Sequence, residues 1–486
     1  MRIRFCSWMV VWSLTLTTFG LSSDAQDVSD SSPFFDPASQ PREVAEANAN
    51  TPEASSFQQQ LDSLRAELFQ MKTAVPAPKY PTVEVHGVFQ TDTGWFHQTA
   101  NNIATLHDLQ ILEGVPAATA NGDIRDGSDF RRARLSANGS VLPNMNYFFQ
   151  MDFAFPGRPT FTDVWMELTK VPVLGNVRVG QWKQPFSLEV VSSFRFTTFP
   201  ERSVLFQAFT PFRHIALGFY DWSEDERMTW AASVYRSGQD QFGDSIADAG
   251  GYAGVGRITA LPWWEDEGRR YLHTGVAYNY VTPPNHTAQF RTIPEYFIGA
   301  QAGTTLGTAG IATPTAFNGT SFFVDTLPQK INNYSLLGTE LLWVEGPFSW
   351  QTEGQFLWAN RTNGKQAYFP GFYSQVGFFL TGEHRPYNRK QGAIDMIQVK
   401  RPVGRPNNPC DEWGWGGWEL AARFSYIDLN SQDITGGRLK DMTLGVNWYL
   451  NNYAKIQFNY IRAFLDSPTH GDSTCDIFGL RAQLFF

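Results

Sequence analysis

Three arginines stand close together in the sequence and could bind a small anion: Arg131, Arg132 and Arg134. In an extended strand Arg132 and Arg134 lie on one face, while Arg131 is expected at the rim of the sheet. A guanidinium group is always charged, and its planar fork can hold two oxygens of a phosphate. The spacing therefore predicts reversible binding of an oxyanion and no bond-making chemistry.

A second group of basic residues lies in and beside a long connecting segment at residues 184–212. It comprises Lys183, Arg195 and Arg202. If the segment folds into a narrow passage, these charges act where little water screens them. We therefore predict that the three cations line a constriction. The alternative is that Glu201 and Arg202 simply pair with each other within the loop.

No sequence pattern points to an enzyme, a metal site or a cofactor. The chain lacks the HExxH, GxSxG and phosphate-loop patterns, and its cysteines and histidines show no metal-ligand spacing. A net charge of −9 gives no support to a nucleic-acid partner. A disulfide between Cys410 and Cys475 is allowed in an oxidising compartment, but so few cysteines do not imply one.

The elements that must position the basic residues show a period of two. In the last strand, Leu480, Ala482 and Leu484 share one face, and Arg481 and Gln483 share the other. Such alternation over about ten residues is typical of transmembrane β-barrels. Past the N-terminus, no segment offers the ~20 consecutive apolar residues of a membrane-spanning helix. The predicted fold class is therefore all-β, a closed antiparallel barrel in a membrane.

About sixteen strands can be placed, and their connections alternate between short and long, as expected of bacterial outer-membrane barrels. This number of strands encloses a water-filled lumen. Aromatic residues make up 15% of the chain and gather near strand ends, which is typical of interfacial girdles. The strands are predicted near residues 82–95, 130–141, 146–155, 162–170, 175–183, 213–222, 227–236, 253–261, 271–280, 335–344, 349–360, 370–381, 417–428, 439–451, 453–464 and 474–486.

Four regions are expected along the chain. Residues 1–25 have the basic start and apolar run of a secretory signal peptide, with a membrane anchor as the alternative. Residues 26–56 have the composition of a disordered linker. Residues 57–74 place apolar side chains four and three apart, which predicts a short periplasmic coiled-coil helix or an amphipathic helix resting on a neighbour. The barrel is predicted to occupy residues 82–486.

One connection breaks the alternation of short and long. Residues 382–416 belong to the side of the short turns, yet the segment is about 35 residues long and rich in arginine and lysine. The segment either folds into the lumen or forms a solvated periplasmic extension, and the sequence leaves both open.

Charges on the predicted barrel wall are mixed. The inward-facing cations include Arg257, Arg423, Lys455 and Arg481, and the inward-facing acids include Asp152, Glu167, Glu340, Glu353 and Glu419. Wide porin lumens can hold arginines opposite carboxylates for structural reasons alone. The wall charges therefore support an anion-selective and a weakly selective channel equally.

The sequence resembles the phosphate-selective porin family, porins O and P, in short stretches that together span residues 82–486. These are FRRARL at 130–135, MDFA at 151–154, VRVGQWKQPFSLE at 177–189, TTFPERS at 197–203, LTGEHRPY at 380–387, WELAARFS at 418–425 and LGVNWYLN at 444–451. The resemblance implies a homotrimer of sixteen-stranded barrels, with inward-folded loops and a ladder of basic residues leading to a phosphate site.

The resemblance assigns ladder roles to Arg131, Arg132 and Arg134, and constriction roles to Lys183, Arg195 and Arg202. The family's constriction relies on lysines, whereas no lysine occurs here between Lys183 and Lys330. The expected function is passive diffusion of small anions, phosphate or polyphosphate, through a Gram-negative-type outer membrane. A general, weakly selective porin and a structural tether between outer membrane and cell wall remain the alternatives.

Overall fold

The computed structural model of the chain describes residues 60–64, 79–154, 159–237, 250–298, 320–404 and 412–486. The chain divides into two units, Met1–Ala77 and Pro78–Phe486. In the first unit, residues 60–64 are helical. The signal peptide, the linker and the rest of the helix predicted at 57–74 lie outside the described residues. Among the described residues, no helix has the length and apolar character needed to span a membrane.

In the second unit, sixteen antiparallel strands form a closed barrel. They are β1 (Glu84–Gln98), β2 (Gly127–Leu142), β3 (Met145–Asp152), β4 (Thr160–Val171), β5 (Gly175–Lys183), β6 (Arg213–Trp222), β7 (Met228–Arg236), β8 (Tyr252–Glu265), β9 (Arg270–Thr282), β13 (Gln329–Glu345), β14 (Phe348–Arg361), β15 (Gln366–Phe379), β18 (Gly417–Ser431), β19 (Ile434–Tyr449), β20 (Ala454–Ser467) and β21 (Gly471–Phe485). Strand β1 pairs with both β2 and β21, which closes the sheet.

Shorter elements lie in the connections. The two-residue strands are β10 (Thr287–Ala288), β11 (Arg291–Thr292), β12 (Val324–Asp325), β16 (Tyr387–Asn388) and β17 (Ala393–Ile394). The helices are α1 (Ala100–Leu112), α2 (Leu188–Val191) and α3 (Leu205–Ala208), with single 3-10 turns at Asp266–Gly268 and Pro284–His286. Strand β10 adds to β13, β11 pairs with β12, and β16 pairs with β17.

Side chains alternate across the barrel wall as predicted. Leu480 and Leu484 are exposed on the outer face, whereas Arg481 and Gln483 are buried inside. The inner side chains are buried because connecting segments fill much of the lumen, and the outer ones are apolar because they face lipid.

The two ends of the barrel differ in the length of their connections. Turns of two to five residues join β2 to β3, β4 to β5, β6 to β7, β13 to β14 and β19 to β20. Longer loops at the opposite end follow β1, β5 and β9. Short turns mark the periplasmic end of such barrels, so the long loops are extracellular.

The long connection between β15 and β18 enters the lumen from the periplasmic end. Its β16–β17 hairpin contacts the inner wall, because the Tyr387 hydroxyl lies 2.6 Å from His273 Nδ1 and the Gly392 carbonyl accepts from Arg257 Nη2 at 2.8 Å. We call residues 382–400 the crossbar. Of the two alternatives, insertion into the lumen is therefore confirmed for this described part of the segment.

The tip of the crossbar reaches strands far from its own. Lys390 Nζ lies 3.4 Å from Glu226 Oε1, and Arg389 Nε donates to the Glu226 carbonyl at 3.2 Å, in the turn between β6 and β7. At its base, Arg385 pairs with Glu419 on β18. The crossbar is thus bound to the wall at two places, at β18 through its base and at the turn between β6 and β7 through its tip.

Candidate functional site: the constriction of the lumen

The loop at residues 184–212, here called the constriction loop, lies inside the barrel. The backbone amides of Leu188 and Glu189 donate to the Glu353 carboxylate at 3.1 and 2.8 Å. On the other side of the lumen, Asn447 Nδ2 donates to the Thr198 carbonyl at 2.7 Å. The loop therefore spans the space between β14 and β19, as predicted for a constriction.

Glycines in the wall strands make room for the apolar side chains of the loop. A Cβ at Gly338 would lie 2.7 Å from Phe186 Cζ, and a Cβ at Gly445 would lie 3.0 Å from Phe199 Cε1. Both phenylalanines are almost fully buried. The loop is thus held by apolar packing as well as by hydrogen bonds, because larger residues at these wall positions would push it out.

A β-bulge turns Arg131 into the lumen. The β1–β2 register shifts between Gln90 and Thr91, so that Arg132 faces Gln90 and Phe130 faces Thr91. Arg131 is the extra residue, and both Arg131 and Arg132 are buried inside the barrel. The prediction that Arg131 lies at the rim is therefore wrong, because a strict period of two does not continue through a bulge.

Glu201 of the constriction loop gathers three arginines. Arg131 donates to it from Nε and Nη2 at 2.9 and 3.0 Å, and Arg132 Nη1 lies 3.8 Å away. Arg481 pairs with it as well, and donates from Nε to Asp92 Oδ1 at 2.7 Å. Burial alone would raise the pKa of Glu201, but the three arginines outweigh burial and hold that pKa well below its usual range. The alternative pairing of Glu201 with Arg202 does not form.

Arginines on the wall are mostly matched by carboxylates. Arg134 Nε donates to Asp152 Oδ2 at 2.7 Å, and Arg423 Nη2 lies 2.6 Å from Glu295 Oε2. Such a pair adds little to the field in the lumen because the two charges cancel at a distance. Further pairs are Arg178–Glu167, Arg213–Asp163, Arg257–Glu340 and Arg385–Glu419.

Four cations around the constriction loop contact neutral groups instead. Lys183 Nζ donates to the carbonyls of Val190, Val191 and Ser192 at 2.8, 3.2 and 2.7 Å. Arg202 Nε donates to the Glu189 carbonyl at 2.9 Å.

The other two cations of this group lie toward the periplasmic end. Arg195 Nε donates to Ser193 Oγ at 3.0 Å, and Lys455 Nζ donates to the Thr197 carbonyl at 3.0 Å. Within the described part of the chain, neither these two nor Lys183 and Arg202 form an ion pair with a carboxylate. Burial lowers the pKa of Arg202 to about 10, which leaves the group charged at neutral pH. Carboxylates act on the four cations only from a greater distance: Asp163 on Lys183, Asp395 on Arg195, Glu189 on Arg202 and Glu419 on Lys455.

The structure brings five of the six predicted basic residues into two places. Arg132 and Arg134 stack on the ring of Phe194, with guanidinium carbons 4.4 and 4.7 Å from its centroid, and Arg131 lies beside them. Lys183 and Arg202 meet at the last carbonyls of α2, whereas Arg195 lies apart, 5.1 Å from the ring of Phe485. Lys455 was expected on the wall, but its contact with the constriction loop could not be inferred from alternation.

A cavity of about 320 Å³ remains between the constriction loop, the crossbar and strands β3 to β8. Small wall residues, Gly218, Ala231 and Ser233, leave this space open. The cavity is lined by the cations Arg178, Lys183, Arg257 and Lys390. Asp163 and Asp221 line it as well, and Arg178 and Arg257 are paired with Glu167 and Glu340. An ion beside the cavity therefore meets mainly Lys183 and Lys390 as positive groups.

Comparison with known proteins assigns the chain to a family. The family described as phosphate-selective porin O and P matches residues 109–486, which is more than half of the chain. Porin O of Pseudomonas aeruginosa is 25% identical over 411 residues, covering 76% of this chain and 84% of its own length.

Two solved structures also match. An anion-selective porin from Comamonas acidovorans is 12% identical, with a TM-score of 0.48 over 83% of this chain and 99% of its own. The outer membrane channel DcaP of Acinetobacter baumannii is 10% identical, with a TM-score of 0.46 over 83% of this chain and 97% of its own. By the match over residues 109–486, the chain belongs to the phosphate-selective porin O and P family of the bacterial outer membrane.

Proposed function

We propose that this outer-membrane porin passes small anions by passive diffusion, with phosphate or polyphosphate as the favoured solute. The observation that carries the proposal is the set of four cations at the constriction loop without a carboxylate partner: Lys183, Arg195, Arg202 and Lys455. The family name, and the name of the anion-selective porin described above, support the same sign of selectivity.

The proposed passage is electrostatic at every step. An anion is drawn into the lumen, exchanges part of its water for guanidinium and ammonium donors, and is released because each site is weak. Arg131, Arg132 and Arg134 are proposed as contacts above the constriction, and Lys183, Arg195 and Arg202 as contacts within it. Protein oxygens already hold these cations, carboxylates for Arg131 and Arg134, carbonyls for Lys183 and Arg202, and a hydroxyl for Arg195. Each site is therefore weak, because its donors are partly satisfied.

A planar bilayer measurement tests the proposal. We expect a zero-current potential across a salt gradient that shows anion preference, and chloride current that millimolar phosphate inhibits. Arg195→Gln should reduce that preference, because it removes a cation that no direct ion pair neutralises. Arg438→Gln is the control, since Arg438 is paired with Asp428 and Asp466 on the outer face. Cation preference in the unaltered protein would contradict the proposal.

A general, weakly selective porin is the second candidate. The paired arginines of the wall favour it, because arginines neutralised by carboxylates stabilise the barrel without choosing between ions. Anion preference that is small and insensitive to phosphate would support this candidate over the first.

The assembly state is also a proposal. By family resemblance we propose a homotrimer embedded in outer-membrane lipid, with the segment before residue 78 in the periplasm. The proposed periplasmic placement is supported by β1, whose first residue Glu84 lies at the end of the barrel that carries the short turns.

A further inference from the structure

We infer that the cavity beside the constriction binds phosphate monoesters that carry a flat ring, and holds them more tightly than inorganic phosphate. The inference rests on the proposed anion function and deepens it, because it names a solute class for one part of the lumen. Three observations support it: a row of aromatic rings on the inner wall, cations placed between the rings, and the size and charge of the space.

The first observation is a set of aromatic rings that face the lumen beside the cavity. Phe148 and Trp165 stack with centroids 5.6 Å apart and planes 13° apart, on adjacent strands β3 and β4. Tyr220 and Trp222 on β6 have centroids 6.4 Å apart. All four are half-buried, so part of each ring stays accessible. Trp165 also packs against the buried apolar cluster inside the barrel, and the accessible parts of the four rings are open to a ligand.

The second observation is that cations alternate with the rings. The guanidinium carbon of Arg178 lies 3.9 Å from the ring centroid of Trp165 and 5.1 Å from that of Tyr220. Lys390 Nζ, on the crossbar, lies 5.6 Å from the ring centroid of Trp222. Rings and positive groups therefore form one continuous row along the wall from β3 to the crossbar. A ligand that lies along this row can stack on a ring while its anionic group meets an ammonium or guanidinium group.

The third observation is the size of the space. The volume of about 320 Å³ falls at the lower end of small-molecule sites, roughly 300–1,000 Å³. A free phosphate ion has five heavy atoms and leaves most of such a volume to water. An ester with a ring fills more of it and removes apolar surface from water.

The charge of the cavity favours an anionic ligand. Lys183 has only carbonyl partners, and the side chain of Lys390 is 54% exposed with its nearest acid, Glu226, 3.4 Å away. The acids of the lining are Asp163, which Arg213 holds at 2.6 Å, and Asp221. The cavity therefore places the ammonium groups of Lys183 and Lys390 beside ring faces, which is the chemistry that recognises an aryl phosphate.

The test uses the full-length porin in planar bilayers and measures the concentration that halves the chloride current. The probes are phenyl phosphate, methyl phosphate and inorganic phosphate, so that the first two differ mainly in the ring. We expect phenyl phosphate to block at ~3- to 10-fold lower concentration than the other two, the range that one ring contact provides.

Substitutions of single rings test whether the cavity causes the stronger block by phenyl phosphate. Trp165→Leu should raise the half-blocking concentration of phenyl phosphate ~3- to 10-fold and change that of methyl phosphate less than about twofold. Trp222→Leu is the second variant and serves if Trp165→Leu does not fold. The matched control is Trp95→Leu, because Trp95 is exposed on the lipid-facing side and should change neither value.

The outcomes separate the inference from the proposed function. Equal block by the three probes, or unchanged phenyl phosphate block in both lumenal variants, overturns the inference while leaving an anion-selective porin. Cation preference in the zero-current potential overturns the proposed function and the inference together.

Discussion

The charge that an arginine contributes to the lumen depends on the group its guanidinium faces. Arg131 faces the carboxylate of Glu201, whereas Arg202 faces the carbonyl of Glu189. A carboxylate cancels most of the cation's field at a distance, but a carbonyl is a dipole and leaves the net charge in place. Counting basic residues in the sequence therefore overestimates the number that an anion experiences.

Glu201 determines how much positive charge the arginines around it contribute to the lumen, because it pairs with three of them. We predict that Glu201→Gln increases anion preference and tightens phosphate block by about 3- to 10-fold, because Arg131, Arg132 and Arg481 lose a shared negative partner. Bilayer selectivity and block measurements check this. Asp433→Asn, in an exposed turn where it pairs with Arg361, is the control and should change neither quantity. Weaker phosphate block in Glu201→Gln would show that the carboxylate only holds the arginines in place.

At the level of elements, an acid pair fastens the first extracellular loop. Glu113 at the end of α1 and Asp325 of β12 share a hydrogen bond between their carboxyl groups, and burial raises the pKa of both. The contact with Asp325 raises the pKa of Glu113 further, to about 9, whereas the bond from Glu113 lowers the pKa of Asp325. A carboxyl whose pKa is raised on folding contributes its full stabilisation of the contact at pH values below its ordinary pKa. That stabilisation is lost as pH rises through the raised pKa.

We therefore predict that α1 loosens as pH rises from the acidic range toward alkaline values. Hydrogen exchange of the α1 amides, corrected for the intrinsic effect of pH on exchange, should show less protection at high pH. Glu113→Gln should remove the dependence, since an amide keeps a donor at every pH. The same loss of protection in wild type and variant would contradict the assignment to this pair.

The crossbar is the element with the largest expected effect on conductance. Replacing residues 387–394 by a short glycine linker removes the hairpin between Tyr387 and Ile394 from the lumen. We predict that single-channel conductance rises roughly twofold or more, because the open cross-section at the periplasmic end increases. Lys390→Gln is the control: at molar salt it should leave conductance nearly unchanged, because the charge is screened while the backbone stays. Unchanged conductance in the replacement would mean that the crossbar does not narrow the path.

Structure could be predicted from the sequence where a single physical constraint acts along a whole strand. Alternation predicted the strands and the inward side of Arg132 and Arg481, because a lipid-facing wall imposes the same constraint at every second residue. It failed at Arg131, where a bulge inserts one residue, and it left the crossbar undecided. It could not place the Phe194 ring beneath Arg132 or the Thr197 carbonyl against Lys455, because these contacts join residues far apart along the chain.

At the level of the whole molecule, the barrel and the segment before it are expected to contribute differently to assembly. We predict that crosslinking of the detergent-extracted porin yields trimers, and that deletion of residues 57–74 lowers the temperature at which they dissociate without preventing their formation. The reason is that about two heptads add only a marginal interface beside barrel contacts. Loss of trimers at every temperature would assign assembly to residues 57–74, and an unchanged dissociation temperature would leave that segment without a role in it.

The crossbar also has a mechanical consequence. A closed sheet of sixteen strands can flatten into an oval section at little cost, because hydrogen bonds between strands bend more easily than they stretch. The crossbar ties β18, through Glu419, to the turn between β6 and β7, through Glu226, and so acts as a strut near the mouth of the barrel. Flattening that moves these two sides apart or together must stretch or compress the strut. The periplasmic rim is therefore stiffer along this line than across it, which keeps the width of the opening beside the strut nearly constant. The extracellular rim can still change its width.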